Sequence, residues 1–371
     1  MKHCCTLVLF FSLSCLGTGV LIVFHNNGWC RGCLDDEGRA LEQIIESMGF
    51  GDEYPYPSKY SDDCCKWEEV ECSLTSPHVV KIFYENIRED KELWFPDLSL
   101  FAQLKELQEL HLKGNNIGGL INPEALCNLD YLQRLDLSSN SIEEDFVEPC
   151  WGNMPSLRTL DLSKNQFQGN LASIFANLSK AEYIDVSHNL FQGRLPLDTN
   201  LSLPKLYRFN ASSNMFFGSI PSSLGELKNL EHLDLSNNLL SGAIPSGLTQ
   251  NSPLWYLNLS NNSLIGEMLP KDCNVTQLRW LLLHNNQFNG NLPLCLLSSL
   301  SLMLLDIRKN LLSGTISGQL LVFKQLGAFL LGGNDFGGYI PRQLCTMQKL
   351  QFLDFSKNSF SGNVPSYLGN N

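Results

Sequence analysis

The sequence predicts an α/β solenoid, a stack of short coils that share one parallel β-sheet and one elongated core. Two observations lead to this prediction. An asparagine returns every 24 or 25 residues along most of the chain, and apolar residues stand at fixed distances ahead of it. One short strand cannot bury its apolar face alone, so such units are stable only when neighbouring copies stack on each other.

The repeat unit is defined by these asparagines and by the apolar residues at positions −8, −5 and −3 before each of them. In the unit of Asn262, those residues are Leu254, Leu257 and Leu259. Positions −5 and −3 alternate as in a strand, with their side chains on one face. The eleven asparagines are Asn115, Asn140, Asn165, Asn189, Asn214, Asn238, Asn262, Asn286, Asn310, Asn334 and Asn358.

The asparagine itself predicts a buried turn. After each strand the chain has to turn inward, and a buried turn leaves backbone N–H and C=O groups without water. An asparagine amide offers two donors and an acceptor. Aspartate would bring charge into the interior, and leucine would satisfy no polar group. The sequence therefore predicts a ladder of side-chain amides that hydrogen bond the turns of neighbouring coils.

Many units continue past the asparagine with glycine and then proline, as in NLLSGAIPSGL at 238–248 and NDFGGYIPRQL at 334–344. The full pattern, L-x-x-L-x-L-x-x-N-x-F/L-x-G-x-I-P, resembles the plant extracellular leucine-rich repeat over residues 107–371. The resemblance implies a curved right-handed superhelix of eleven repeats, the last one incomplete. It also implies that the main parallel sheet lies on the concave face.

Residues 28–106 resemble the N-terminal cap of plant leucine-rich repeat proteins. Apolar residues at helical spacing predict a helix within 33–50, and VVKIFY at 79–84 predicts the first strand. The family pattern implies that Trp67 packs over the first coil. Glu69 stands where the family usually has glycine, which indicates a different local turn. The disulfides implied by the family pattern are Cys33 with Cys64 and Cys65 with Cys72.

Residues 1–27 predict a signal peptide, with an uncertain boundary. Lys2 and His3 precede an uncharged apolar run at 6–24, and small residues interrupt this run at 17–19. A membrane anchor is the alternative, because a run of this length just spans a bilayer. Thirteen cysteines fit an oxidising compartment. Within the repeats, Cys127 with Cys150 and Cys273 with Cys295 are candidate pairs, but spacing alone does not set the connectivity.

The sequence gives no support for catalysis, a cofactor or a metal site. It has no Walker loop, no Gly-x-Ser-x-Gly and no His-Glu-x-x-His, and His188, His232 and His284 lie on separate coils as predicted surface residues. WCRGC at 29–33 is similar to a thioredoxin-like motif, but it directly follows the export signal with no preceding strand. The structural interpretation leaves Cys30 unpaired or removed. A net charge of −12 disfavours nucleic acid as a partner.

A ligand-binding face is predicted on the variable strand positions, because the framework positions are committed to packing. Exposed aromatic residues and arginines are typical of interface hot spots. The alternative is that these rings pack against each other and only stiffen the face. Aspartates recur at position −4, where solvated carboxylates are favoured over a cation site. The predicted binding residues are Tyr183, Tyr207, Arg208, His232, Trp255, Tyr256, Arg279, Trp280, His284 and Arg308.

Six Asn-x-Ser/Thr sequons predict glycosylation wherever they are accessible in an exported chain. Sugars on two of them, Asn210 and Asn258, would mask part of the predicted binding face. The six are Asn177, Asn200, Asn210, Asn258, Asn261 and Asn274.

As a whole the chain resembles the ectodomain of a plant receptor-like protein. The resemblance implies binding of a peptide or protein ligand, with carbohydrate as a further option, and signalling in defence or development through a partner receptor kinase. The expected location is the extracellular side of the cell membrane if the chain is part of a full-length receptor. As a truncated form or a decoy it would be secreted to the apoplast. The alternatives are a secreted inhibitor resembling polygalacturonase inhibitors and a structural wall protein.

Overall fold

The structure is a computed structural model that describes residues 32–49, 61, 63–88, 92–144, 154–171, 178–195, 203–250, 253–316, 318 and 323–363. The predicted signal peptide, Cys30, Cys150, Asn177 and Asn200 lie outside these residues.

Over the described ranges, thirteen short strands form one main sheet, and every neighbouring pair except the first is parallel. This arrangement confirms the predicted solenoid, since each coil adds one strand beside that of the preceding coil. The strands, numbered in chain order through both sheets of the protein, are β1 Val70–Cys72, β2 Val79–Phe83, β3 Glu109–His111, β4 Arg134–Asp136, β5 Thr159–Asp161, β6 Tyr183–Asp185, β8 Arg208–Asn210, β10 His232–Asp234, β12 Tyr256–Asn258, β14 Trp280–Leu282, β16 Leu304–Asp306, β18 Ala328–Leu330 and β20 Phe352–Asp354.

A second parallel sheet of eight strands, all within the described residues, follows the asparagines. The sequence pattern alone did not distinguish these strands from the turns that follow the asparagines. Glycine recurs in these strands with a left-handed backbone, as at Gly242 with φ 78°, a conformation that costs glycine little. The strands are β7 Gln192–Gly193, β9 Met215–Ser219, β11 Leu239–Gly242, β13 Ser263–Glu267, β15 Gln287–Gly290, β17 Leu311–Thr315, β19 Asp335–Tyr339 and β21 Ser359–Ser361.

Short helical segments complete the coils. Helix α1 covers Asp35–Ser47, and Gly49 follows with φ 73°, which ends the predicted cap helix. Helices α2 and α3 cover Leu98–Phe101 and Ser246–Thr249. Single 3-10 turns lie at Cys64–Lys66, Pro123–Asn128, Ser222–Glu226, Leu294–Ser298 and Arg342–Thr346.

The predicted amide ladder is present and joins successive coils. Asn238 illustrates it: Oδ1 accepts a hydrogen bond of 3.0 Å from the backbone N–H of Phe216 on the preceding coil. Its Nδ2 donates to the carbonyl of Ala211 on that coil at 3.0 Å and to the carbonyl of Leu235 on its own coil at 3.2 Å. Asn238 is 7% exposed, so these bonds satisfy groups that water does not reach.

The cap closes the start of the core. Trp67 is buried, and its Nε1 donates to the carbonyl of Ser61. Disulfides join Cys33 to Cys64 and Cys65 to Cys72, as the family resemblance implied. Within the repeats, Cys273 is bonded to Cys295, which settles one of the two open candidate pairs. Cys127 is also disulfide-bonded.

Candidate functional site

The outer face of the main sheet presents two columns of side chains. Each strand turns its central residue into the core and its two flanking residues outward. In β10, Leu233 is fully buried, whereas His232 and Asp234 flank it. The parallel register places His232 between Arg208 and Tyr256. We call these columns the −6 column and the −4 column, by their distance before the repeat asparagine.

Five successive strands of the −6 column form a ladder of rings and one guanidinium. The Arg208 guanidinium lies over the ring of Tyr183, 5.3 Å from its centroid, a distance that allows cation–π attraction. The His232 imidazole stacks on Tyr256 with centroids 4.0 Å apart. Tyr256 in turn contacts Trp280 with centroids 6.0 Å apart. The predicted neighbours are therefore brought together, and they also pack laterally, as the alternative interpretation expected.

His232 differs from its prediction as a surface residue, because it is only 8% exposed. Tyr256 covers one face of the imidazole, and Trp255 meets it edge-on with centroids 5.6 Å apart. Burial, and then the charge of Arg208, lower the pKa of His232 to about 4. His232 Nδ1 and Arg208 Nε are both buried without a hydrogen-bond partner.

The aspartates of the −4 column form turns. Three of them, Asp185, Asp234 and Asp306, are buried, which differs from the solvated carboxylates that the sequence favoured. Asp234 Oδ1 accepts hydrogen bonds from the backbone N–H and the hydroxyl of Ser236 at 3.0 and 2.6 Å. Asp185 makes the same pair of bonds with Ser187. These bonds fix the chain at the end of each strand. The D-x-S spacing in the sequence was a signal for this role.

Asparagine stands in place of aspartate on two strands of the −4 column and donates to a neighbouring carboxylate. Asn210 lies between Asp185 and Asp234, whereas Asn258 lies between Asp234 and Leu282. Asn258 Nδ2 donates to Asp234 Oδ2 at 3.0 Å, and Tyr256 donates its hydroxyl to the same oxygen at 3.1 Å. Burial, with the charge of Asp234, raises the pKa of Tyr256 to about 12. Asn210 donates in the same way to Asp185 Oδ2 at 2.9 Å. The uncharged amide lets adjacent strands share a hydrogen bond instead of repelling each other.

The sequons at Asn210 and Asn258 are therefore part of the sheet face. Asn258 is 9% exposed, and Nδ2, the atom to which a glycan attaches, is hydrogen bonded. Asn210 is half-buried and similarly bonded. Asn261 is also half-buried, and its Oδ1 accepts from Asn285. By contrast, Asn274 is exposed.

At the C-terminal end of the predicted face, His284 and Arg308 both contact the carboxylate of Asp306. Arg308 donates to both oxygens of Asp306, at 2.9 and 2.7 Å, and His284 Nδ1 lies 3.2 Å from Asp306 Oδ2. Burial alone would raise the pKa of Asp306, but the bonds from His284 and Arg308 hold it at about 2. These contacts among His284, Asp306 and Arg308 indicate a structural role.

Three predicted residues remain exposed: Trp280 at the end of the ring ladder, and Tyr207 and Arg279 next to it. Tyr207 is 41% and Trp280 is 40% exposed, and Arg279 is exposed as well. The remaining predicted residues, Tyr183, Arg208, Trp255, Tyr256, His284 and Arg308, are half-buried. The structure thus provides exposed aromatic and cationic side chains whose neighbours are already fixed by stacking. Such a surface suits binding to a protein or peptide.

Comparison with known proteins identifies the repeats. Leucine-rich repeat family profiles match residues 90–142 and, separately, 131–154, 156–178, 229–251 and 349–371. Cuscuta receptor 1 of Solanum lycopersicum is 36% identical over 108 residues, which are 28% of this chain and 10% of that protein. The match therefore spans about a tenth of the relative's length.

Solved receptor structures are also similar to this chain. The structure of a TDR receptor is 28% identical with a TM-score of 0.63, over 76% of this chain and 52% of that one. The ectodomain of the Arabidopsis thaliana receptor kinase GASSHO1/SCHENGEN3, solved with CASPARIAN STRIP INTEGRITY FACTOR 2, is 25% identical with a TM-score of 0.58. That match covers 89% of this chain and 48% of the other.

The repeat, the parallel sheet and the amide ladder define this chain as a leucine-rich repeat protein. The profiles, the curated relatives and the solved structures support similarity to the plant leucine-rich repeat receptor-like proteins. In that fold the main sheet forms the concave face. Among the residues that the structure describes, no helix has the length and apolarity to cross a bilayer.

Proposed function

We propose that the concave face around Tyr207, Arg279 and Trp280 binds a peptide or protein ligand. The observation that carries this proposal is that these three side chains are exposed, with Trp280 at the end of a prestacked ladder of rings and the other two next to it. Rigid aromatic residues lose little conformational entropy on binding, and arginine adds directed hydrogen bonds. The solved plant peptide hormone receptor RGFR1, in complex with RGF2, is 28% identical to this chain and supports this ligand class.

In the whole protein this region serves as the recognition part of a cell-surface receptor-like protein, exposed outside the cell. Signalling in defence or development would then pass through a partner receptor kinase. The resemblance to Cuscuta receptor 1 supports a receptor over an inhibitor of cell-wall-degrading enzymes. The inhibitor proposal makes a separate prediction, namely loss of polygalacturonase activity when the chain is added.

The test uses immobilised glycosylated chain and peptides from plant extracellular fluid, identified by mass spectrometry. The variant Tyr207→Ala, Arg279→Ala, Trp280→Ala changes the exposed face. The matched control, Phe217→Ala, Leu239→Ala, Tyr339→Ala, changes three exposed apolar residues of the second sheet. We expect a peptide that the wild type and the control retain and the concave variant loses at least tenfold. Equal retention by all three proteins would refute a concave ligand site.

A further inference from the structure

We propose that Glu85, His111 and Asp136 bind one divalent transition-metal ion of the Zn²⁺ type, at the N-terminal end of the concave face. The three residues come from three successive coils, and one ligand atom of each lies within 4.8 Å of the other two. Successive members are 26 and 25 residues apart along the chain, so they do not form a short sequence motif. The site is separate from the ring ladder and does not depend on the proposed ligand.

The imidazole of His111 is held in position by its neighbours. Its ring packs on Phe83 with centroids 4.9 Å apart. Nε2 lies 3.4 Å from Glu109 Oε2, whereas Nδ1 lies 3.1 Å from Glu85 Oε1. A metal-bound histidine usually donates its second ring N–H to a carboxylate, which fixes its orientation. Glu109 fills that supporting position and leaves Nδ1 for the metal.

The charges around the three residues are divided in a way that favours a cation. Glu109 is compensated by Lys81 and Arg134, whose nitrogens lie 3.6 and 3.9 Å from it. Among the described residues, neither Glu85 nor Asp136 has an ion pair with lysine or arginine. Asp136 uses Oδ1 to accept the backbone N–H of Ser138, so Oδ2 is available. Two carboxylates thus share the space with one imidazole.

The ligand chemistry selects the class of ion. One nitrogen and two carboxylate oxygens suit Zn²⁺ or Mn²⁺, whereas Ca²⁺ and Mg²⁺ prefer oxygen ligands alone. Ligand atoms around one such ion lie closer together than the 4.8 Å limit within which these three atoms fall. The side chain of Glu85 is exposed, so its rotation can shorten the distances from its carboxylate to the other ligand atoms. Water would complete the coordination, since the site is partly open.

The concave face contains a natural control. His284 Nδ1 also lies near an aspartate, at 3.2 Å from Asp306 Oδ2. There, however, Arg308 occupies both carboxylate oxygens. A histidine–aspartate pair that already holds a guanidinium should not bind the metal.

The experiment is calorimetric titration of tag-free, EDTA-treated protein with Zn²⁺, repeated with Ca²⁺. We expect one equivalent of Zn²⁺ bound and no matching Ca²⁺ site. His111→Gln and Glu85→Gln should each weaken Zn²⁺ binding at least tenfold, and Glu109→Gln should weaken it about tenfold by freeing the imidazole. His284→Gln should leave it unchanged.

Thermal unfolding in EDTA serves as the check on folding, because exposed Glu85→Gln should melt with the wild type when metal is absent. Added Zn²⁺ should then stabilise the wild type and His284→Gln, but not Glu85→Gln. Absence of Zn²⁺ binding, equal binding of Ca²⁺, or equal loss in His284→Gln would each overturn the site. None of these results bears on the peptide-binding proposal.

Discussion

The imidazole of His232 lies flat against the phenol ring of Tyr256, with 4.0 Å between centroids and 2° between ring planes. The contact joins two strands of the concave face and buries the imidazole. It therefore links the stability of this face to the protonation state of one histidine.

We expect His232 to titrate near pH 4 when its ring is followed by NMR. The unfolded chain takes up this proton near pH 6.5. The stabilising contribution of neutral His232 is therefore present above about pH 6.5 and is lost as the pH falls through about 4. Arg208→Gln should raise the pKa, since Arg208 is the second cause of its depression after burial. Arg134→Gln, in the same column on β4, should leave the pKa of His232 unchanged. A pKa near 6.5 for His232 in the wild type would contradict the stacked geometry.

Asp161 has the opposite behaviour. Burial, with the charges of Asp185 and Asp136, raises its pKa to about 6, although bonds from Ser163 oppose the shift. The folded chain thus binds a proton that the unfolded chain releases near pH 3.8. The contribution of this group to stability is present below that pH and is lost as the pH rises through about 6.

Asp161→Asn should consequently raise the free energy of unfolding at pH 7 by about 1 to 3 kcal/mol. The amide keeps the acceptor for Ser163, as Asn258 does for Ser260. Urea unfolding in EDTA between pH 4 and 7 measures the effect. The protein should come from a host without N-glycosylation, because the substitution creates a sequon. A variant less stable than the wild type at pH 7 would argue against the raised pKa.

Asn238→Leu should lower the free energy of unfolding by about 2 to 4 kcal/mol, because it leaves the N–H of Phe216 without its acceptor and removes one of the two amide bonds to the carbonyl of Ala211. Thermal unfolding is the measurement. Ser241→Ala, on the exposed side of the second sheet, should stay within about 0.5 kcal/mol. Equal melting temperatures of the two variants would show that the asparagine amide ladder does not stabilise the stacked coils.

Gly225 and Gly247 lie where two coils touch through their backbones. A Cβ added at Gly225 would be 2.4 Å from the carbonyl carbon of Gly247, whereas one added at Gly247 would meet Gly225 at 3.5 Å. Gly225→Ala should therefore cost about 1 to 3 kcal/mol of unfolding free energy, as overpacked sites do. Gly247→Ala should cost clearly less. Urea titration of both variants tests this, and the reverse order would contradict the packing.

The sequons should differ in occupancy when the chain is secreted from plant cells. Exposed Asn274 should carry a glycan, whereas Asn258 should remain unmodified, since a sugar on Nδ2 has no room beside Asp234. Mass spectrometry after enzymatic deglycosylation in heavy-oxygen water reports both sites. High occupancy at Asn258 in folded protein would contradict the buried arrangement of the concave face.

The solenoid could be predicted from the sequence alone, because framework residues such as Leu257 and Asn262 repeat in phase. A single unit cannot bury its apolar face, so neighbouring units have to stack. The spacing also identified which positions face outward on the strands. It did not show that His232 is buried or that Asn258 shares a hydrogen bond with Asp234.

Those two points follow from the folded structure, because they depend on contacts between residues about 24 positions apart on adjacent coils. The distance between His232 and Tyr256, or among Glu85, His111 and Asp136, is set by the stacking of whole coils. Local periodicity specifies which way a side chain points, but the neighbours it meets are set by the register between strands.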